Sequence, residues 1–370
     1  MFKKACFEGI SALKRNFLLV ALVGVSLGLA GVLHQPLQRL PDYVDWDTIA
    51  TLCGLLLITT GLKESNLFDA AAYRISQRID TERRLALALI FFSAALAMVL
   101  TNDIALFIIV PLTLGLQKIA AKDYARMIVL EAIAVNVGSS LTTIGNPQNI
   151  FLWHQWRVSF PVFASKMAPL VLIMAACLFV VVFFSFPAAK IAARNAHPPV
   201  VHRRLFWLSA VLLIAFVVSV ELRCERYFLA IVFLALLWTR RNVIFKTDWG
   251  LVGLFIVIFI DLDLFCQIGA VKRLLASLDF HHPGTLFLTG ALMSQAISNV
   301  PATILLAKYT ADFKMLAYGV NVGGNGLLIG SFANLIALRF IQRRRKYWLF
   351  HAYSIPFFIV TMILAYDLLI

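Results

Sequence analysis

Along the chain, apolar stretches alternate with two kinds of polar interruption. Stretches long enough to cross about 30 Å of hydrocarbon run over 17–33, 47–62, 165–186, 248–266 and 348–369. Two shorter ones, 205–220 and 226–239, are separated by Glu221, Arg223, Glu225 and Arg226, which predicts two short spans; one long broken helix is the competing reading. The second kind of interruption is polar but almost uncharged. In the apolar run between Arg84 and Lys118 it is Thr101-Asn102-Asp103, and it leaves arms of 85–100 and 104–117. At about 1.5 Å per residue neither arm crosses comfortably, so 85–118 reads as a re-entrant hairpin with its tip near mid-membrane. A second such hairpin covers 284–311, with Ser298-Asn299-Val300 at the tip and Pro301 behind it.

Each hairpin is followed by a copy of one segment. Val-Asn-Val-Gly-Ser-Ser-Leu-Thr-Thr-Ile-Gly-Asn-Pro-Gln-Asn at 135–149 returns 185 positions later as Val-Asn-Val-Gly-Gly-Asn-Gly-Leu-Leu-Ile-Gly-Ser-Phe-Ala-Asn at 320–334, seven of fifteen positions being identical. Small and polar residues inside apolar sequence leave backbone unpaired in hydrocarbon, which is tolerated only where that backbone lines a cavity. Paired interruptions therefore mark a transporter's binding site. Each copy predicts a broken helix, 125–156 and 313–341. In the first, a half-helix ends in Gly138-Ser139-Ser140 and the next begins after Gly145-Asn146-Pro147, with proline suited to a first helical turn. Half-helix ends carry unsatisfied N–H or C=O groups of opposite partial charge.

The resulting organisation is an N-terminal span and outer loop (1–45), a first repeat of span, hairpin, broken helix and span (46–186), a cytoplasmic linker (187–204), two short spans (205–247) and a second repeat (248–370). Asp45-Trp46 and Asp248-Trp249 open the two repeats. With 61% hydrophobic and 14% charged residues and a mean hydropathy of +0.87, the expected fold is an all-α polytopic membrane protein. It has about nine transmembrane helices plus two re-entrant hairpins in an inverted-topology repeat. The net charge of +14 is spread by loop. Segments 3–15, 63–84, 118–126, 190–204, 240–246 and 339–346 hold 24 of the 33 Lys and Arg, leaving nine on the opposite side. By the positive-inside rule the N-terminus is cytoplasmic and the C-terminus periplasmic. This distribution argues against a nucleic-acid partner; the partners expected are the lipid bilayer and a small-molecule anion.

The first apolar segment follows Lys14 and Arg15 and reads as a retained signal-anchor helix. Five cysteines, at 6, 53, 177, 224 and 266, are scattered, as buried structural thiols are. The seven histidines (34, 154, 197, 202, 281, 282, 351) sit at loops or span ends, and no hydrolase or P-loop motif is present, so an enzyme is not expected. No metal-ligand set is assigned.

Thr-Asn-Asp on one hairpin, Ser-Asn-Val-Pro on the other and Ile-Gly-Asn-Pro-Gln-Asn resemble the ion transporter superfamily, which contains arsenite pumps, sodium/proton antiporters, dicarboxylate symporters and citrate-metal transporters. The resemblance covers about 45–370 and is nearest to the citrate-metal (CitM) group of bacterial inner-membrane transporters. It implies a homodimer and two half-sites around one substrate. The first is Thr101, Asn102 and Asp103 with Gly138, Ser139, Ser140, Thr142, Thr143, Gly145, Asn146 and Pro147. The second is Ser298 and Asn299 with Gly323, Gly324, Asn325, Gly330, Ser331 and Asn334. Dicarboxylate symporters of the superfamily carry Ser-Asn-Thr at both tips; here Asp103 and Val300 depart from that pattern, against a symmetric two-sodium scheme.

Asp103 is the only ionisable residue on either hairpin's apolar run. A lone carboxylate at that depth is costly unless paired, hydrated or protonated, which suits a coupling group; capping of the following half-helix is the simpler alternative. Glu131 has Leu316 as its repeat counterpart and reads equally as an interhelical partner or a proton relay. Asp261 and Asp263, near a span's outer end, read as interfacial. No Lys or Arg lies in the hairpin arms or the breaks, so a multiply charged anion must rely on helix N-termini, hydroxyls, amides or a co-bound cation. The expected function is secondary active transport of a small anion across the inner membrane, citrate or a related carboxylate, free or as a metal complex. It is coupled through Asp103 to protons or a cation such as sodium, with no other cofactor. Arsenite or antimonite efflux and sodium/proton exchange are the alternatives within transport, and an ion channel the alternative outside it.

Overall fold

The computed structural model describes residues 17–120, 124–190, 199–341 and 345–370. The described chain is helical, with one isolated bridge between Thr81 and Lys190. Helix α1 is Phe17–Val32, and a 3-10 turn, Leu37–Tyr43, leads from it towards the first repeat. That repeat is α2 (Trp46–Glu64), α3 (Leu67–Arg78), α4 (Glu82–Ala97), α5 (Asn102–Ala120), α6 (Ala125–Ser139), α7 (Pro147–Trp156) and α8 (Phe160–Ser185). Helices α9 (Arg203–Glu221), α10 (Glu225–Arg240) and α11 (Asn242–Lys246) follow. The second repeat copies the first helix for helix: α12 (Trp249–Gln267), α13 (Gly269–Ala276), α14 (Pro283–Ile297), α15 (Asn299–Leu306), α16 (Phe313–Gly323), α17 (Phe332–Phe340) and α18 (Lys346–Leu369).

Among the described residues, four helices are individually long and apolar enough to cross a membrane: α8, α9, α12 and α18. A fifth span is possible only if α1 is joined to the 3-10 turn, which bends from it by 117°. The other helices fall short because they are interrupted or carry charge. α2 includes Asp47, Lys63 and Glu64, yet its middle is wholly buried from Leu52 to Leu62 apart from half-buried Cys53. α9 and α10 are separate helices that turn at Arg223, whose φ is 57°. Part of the 187–204 linker, residues 191–198, lies outside the described chain, as does Cys6; Cys53, Cys177, Cys224 and Cys266 are free thiols.

Local chemistry sets the helix starts. Asp45 and Asp248 each cap the opening helix of a repeat, Asp45 accepting from Asp47 N and Thr48 N and Asp248 from Leu251 N. A cap of this kind stabilises by about 1 kcal/mol, and the repeat preserves it. Helices α3 and α13 were not expected: from the sequence, 63–84 reads only as a basic cytoplasmic segment, and no element is assigned between the span ending at 266 and the hairpin starting at 284. Both are amphipathic, with residues such as Leu275 turned inward beside Lys272 and Arg273, and their mixed composition hides them from a search for apolar runs.

Packing divides the molecule. α2 lies against α9 and α10, and α12 lies against α1. The hairpin helices and broken helices form the remaining mass, in which α4 packs along α6 and α14 along α16. These two contacts are close because of glycine. A Cβ on Gly138 would lie 1.9 Å from the Ala94 carbonyl oxygen, and one on Gly323 would lie 2.8 Å from that of Ala291. Ala94 and Ala291 stand equally far before the tip asparagines Asn102 and Asn299, so the repeat uses one close approach twice. Within the first unit, Thr113 Oγ1 donates to Glu131 Oε1 at 2.6 Å, which makes Glu131 a partner between α5 and α6.

Replacing Gly138 with alanine must push α4 and α6 apart. The variant is expected to lose about 1–3 kcal/mol, seen as a lower melting temperature of the purified protein; an unchanged melting curve contradicts the close approach.

Candidate functional site

Both tips and both breaks converge. A cavity of about 470 Å³ is lined by Asn102 and Asp103 at the first tip, Pro147 and Gln148 at the first break, Ser298, Asn299, Val300 and Pro301 at the second tip, and Ser331 and Phe332 at the second break. These residues are the first turns of α5, α7, α15 and α17, so four helix N-termini face one space. Each N-terminus carries the positive end of its helix dipole, roughly half an elementary charge, although at α5 and α7 Asn102 N, Asp103 N and Asn149 N are already engaged by Gly145 O, Asn102 Oδ1 and Asn146 Oδ1. The opposite wall is α12 with α1, represented by Leu251, Phe255, Ile258 and Leu22. Among the described residues, no lysine, arginine or histidine lines this cavity.

Among the residues singled out from the sequence, Asn102, Asp103, Pro147, Ser298, Asn299 and Ser331 line the cavity. The others do not line it, and most of them hold the breaks in shape. Asn102 N donates to Gly145 O at 2.9 Å, fastening the first tip to the first break. Asn102 Oδ1 accepts from Asp103 N, while Asp103 Oδ1 has no partner. Asn146 caps α7 by accepting from Asn149 N at 2.9 Å, and Thr142 Oγ1 donates to Met98 O at 2.8 Å. Ser139 and Ser140 both donate to Asn136 O. Gly145 and Gly330 sit where a Cβ would meet the carbonyl oxygens of Ser139 and Gly323. Gly324 O accepts from two asparagine side chains. Thr101 Oγ1, Thr143 Oγ1 and Asn325 Oδ1 are buried without partners. Ser298 has a φ of 76°, a strained value for a residue with a side chain.

Two asparagines that the sequence reading passed over tie the halves together. Asn136, on α6, donates to Gly324 O at 3.0 Å and to Asn334 Oδ1 at 2.9 Å, and accepts from Ser331 Oγ at 3.0 Å. Asn321, its counterpart on α16, donates to Asn149 Oδ1 at 2.9 Å and accepts from Asn146 Nδ2 at 3.1 Å and Gln148 Nε2 at 3.5 Å. Positions 146 and 149 are the repeat counterparts of 331 and 334, so each asparagine binds in the other repeat what its twin binds in its own partner. The same symmetry extends to the breaks: Asn149 Nδ2 donates to Ser139 O and Thr142 O, and Asn334 Nδ2 to Gly324 O and Leu327 O. Asn136, Asn321, Asn149 and Asn334 were all identical positions within the duplicated segment, and that identity was the available signal. Gln295, also missed, donates to Gly323 O and accepts from Leu327 N.

Asp261 departs from its expected interfacial place. It is 8% exposed and lines the cavity, because α1 covers that face of α12. Asp263, two residues on, is partly exposed and pairs with Lys308 at 2.7 Å. A second, polar cavity of about 730 Å³ lies at the N-terminal end of α2, between Asp45, Asp47, His154, Arg157 and Glu225. There Thr51 Oγ1 and His154 Nε2 are 2.7 Å apart.

The profile of the citrate transporter family, CitMHS, matches residues 9–315. The chain belongs to this family. Inner membrane protein YbiR of Escherichia coli is 41% identical to this CitMHS member over 357 residues, 96% of the chain and 95% of YbiR. An uncharacterised transporter of Methanocaldococcus jannaschii is 32% identical over 326 residues, 87% of the chain and 88% of its own length. The YdaH transporter of Alcanivorax borkumensis superposes with a TM-score of 0.55 at 14% identity, covering 95% of this chain and 96% of its own. The shared fold is that of a membrane transporter, and the CitMHS chain is a transporter of the ion transporter superfamily.

Asn136→Ala and Asn321→Ala each remove three bonds between the repeats. At about 0.6 kcal/mol per interhelical bond in a membrane protein, each is expected to cost roughly 2 kcal/mol, with nearly equal falls in melting temperature. A loss confined to one of the two variants contradicts the reciprocal arrangement.

Proposed function

We propose that this transporter is a secondary active carrier of a small carboxylate anion, citrate or a relative, and that protons or sodium ions drive it through Asp103. The observation that carries this reading is the meeting of four helix N-termini in one cavity that, among the described residues, no basic side chain lines. Their summed potential, on the order of two positive charges, favours an anion. It offers nothing to neutral arsenite and opposes a bare cation as sole substrate. The carboxylate of Asp103 stands in the first turn of α5 and offsets part of that potential. A fully ionised citrate exceeds what remains, so a co-bound cation or a metal complex of lower charge suits the site better.

Movement follows from the packing. The unit made of α4–α7 and α14–α17 carries every polar group that faces the substrate except Asp261. α1, α2, α9, α10 and α12 form the surroundings against which it shifts. In the bilayer the two tips enter from opposite faces as re-entrant hairpins within a nine-span inverted repeat. The protein lies in the inner membrane with a cytoplasmic N-terminus and a periplasmic C-terminus, as a homodimer. A carrier of this design accumulates substrate uphill at the expense of an ion gradient, which a channel does not do.

Thermal stability of the purified protein should rise with citrate, and further with citrate plus a divalent metal, by about 2.7 kcal/mol of linkage at a hundredfold excess over Kd. Stabilisation by arsenite and by no carboxylate sinks the anion reading. Asp103→Asn should fold and insert normally but fail to accumulate citrate in proteoliposomes under an imposed pH or sodium gradient. Full uphill uptake by that variant removes Asp103 from coupling.

A further inference from the structure

The apolar wall opposite the N-termini contains one ionisable side chain. Asp261 lies on α12 among Leu254, Ile258 and Leu262, and it lines the cavity from that side. Its Oδ1 accepts from Ser26 Oγ of α1 at 2.5 Å, and its Oδ2 is buried with no partner. Charges on the elements packed against α12 do not compensate it. Lys308 is engaged by Asp263. Lys272 and Arg273 on α13, Asp47, Lys63 and Glu64 on α2, and Arg39 and Asp42 of the 3-10 turn do not line the cavity.

A carboxylate buried among apolar side chains with one hydroxyl donor and no counter-ion is costly by several kcal/mol in its bare ionised form. In membrane segments such a group persists when it holds a proton, a cation or water. Helix-to-helix adhesion alone does not call for it, because an asparagine accepts a hydrogen bond from Ser26 equally well. Nor does the repeat require it: with Asp45 and Asp248 aligned as caps, the counterpart of Asp261 on α2 is Ile58. The supporting donor, Ser26, comes from a helix outside both repeats.

We infer that Asp261 is a second cation-binding point of the cavity, which takes a proton or a sodium ion on Oδ2, and that Ser26 is its positioning residue. This rests on the carrier reading above and deepens it. Asp103 belongs to a hairpin and Asp261 to the facing wall, so the cavity has a place for a compensating cation on each side of the surface along which the two units slide. An anion held at the N-termini then shares the cavity with two carboxyl groups whose negative charge has been cancelled, one on either side.

The test is labelling of the full-length protein in liposomes with dicyclohexylcarbodiimide, which adds to protonated carboxyls in apolar surroundings, followed by peptide mass spectrometry. The Asp261 peptide is expected to carry the adduct in acidic choline chloride buffer. Loss of the adduct on adding sodium chloride identifies sodium as the ligand; loss only on raising the pH identifies the proton. An Asp261 peptide that stays unlabelled in every buffer, or is labelled equally in all of them, overturns the inference. Asp261→Asn, which keeps the acceptor for Ser26, should fold normally and lose this adduct alone. Asp103 is read in the same digest: a sodium- or pH-sensitive adduct there without one at Asp261 defeats this inference and leaves the role of Asp103 standing. The converse pattern separates the two in the other direction.

Discussion

Backbone that leaves a helix inside hydrocarbon must find partners within the protein, and the arrangement at 140–146 and 324–331 is organised by that requirement. Asn149 and Asn334 reach back over their own breaks to the carbonyls of Ser139 and Thr142, and of Gly324 and Leu327. Asn136 and Asn321 then close each break against the other repeat. With the breaks satisfied from behind by those amides, the first turns of α7 and α17, at Pro147 and Gln148 and at Phe332, line the cavity. The hairpins add two further N-termini, brought close by the approach of Ala94 to Gly138 and of Ala291 to Gly323. One requirement, met twice, thus holds the centre together and brings four helix N-termini to one cavity.

The exchange of Asn146-Pro147 for Ser331-Phe332 shows what the two copies hold in common beneath their differences. Asn146 Nδ2 and Ser331 Oγ both donate to the asparagine of the opposite repeat, so the cross-repeat bond survives the change of residue. The departures that matter lie elsewhere, in carboxylates that have no twin: Asp103 at one tip only, Glu131 opposite Leu316, and Asp261 opposite Ile58. Symmetry builds the cavity, and two of these unmatched carboxylates, Asp103 and Asp261, line it, while Glu131 is held by Thr113 between α5 and α6.

Much of this was legible in the sequence. Breaks inside apolar runs betray themselves by composition, and the helices end at Ser139 and resume at Pro147 where glycine, serine and proline stand. The tips were readable for the same reason. Two things were not. Amphipathic α3 and α13 have the composition of loops, and only their periodicity reveals them. Lining and supporting roles within the breaks also look alike in sequence: Gly, Ser, Thr and Asn serve both, and which of them faces the cavity depends on packing between segments far apart in the chain. Asp261 was misplaced because its depth was judged from α12 alone, without the covering helix α1.

The most direct measurement of the account is a structure of the protein determined with saturating citrate and magnesium. The account places the ligand's density in the cavity between Asn102, Asn299, Gln148 and Ser331, with its carboxylates at the four N-termini and the bonds of Asn136 and Asn321 intact. Density in the polar cavity beside His154 and Arg157, or carboxylates held by Asn136 and Asn321 in place of their cross-repeat partners, would contradict it.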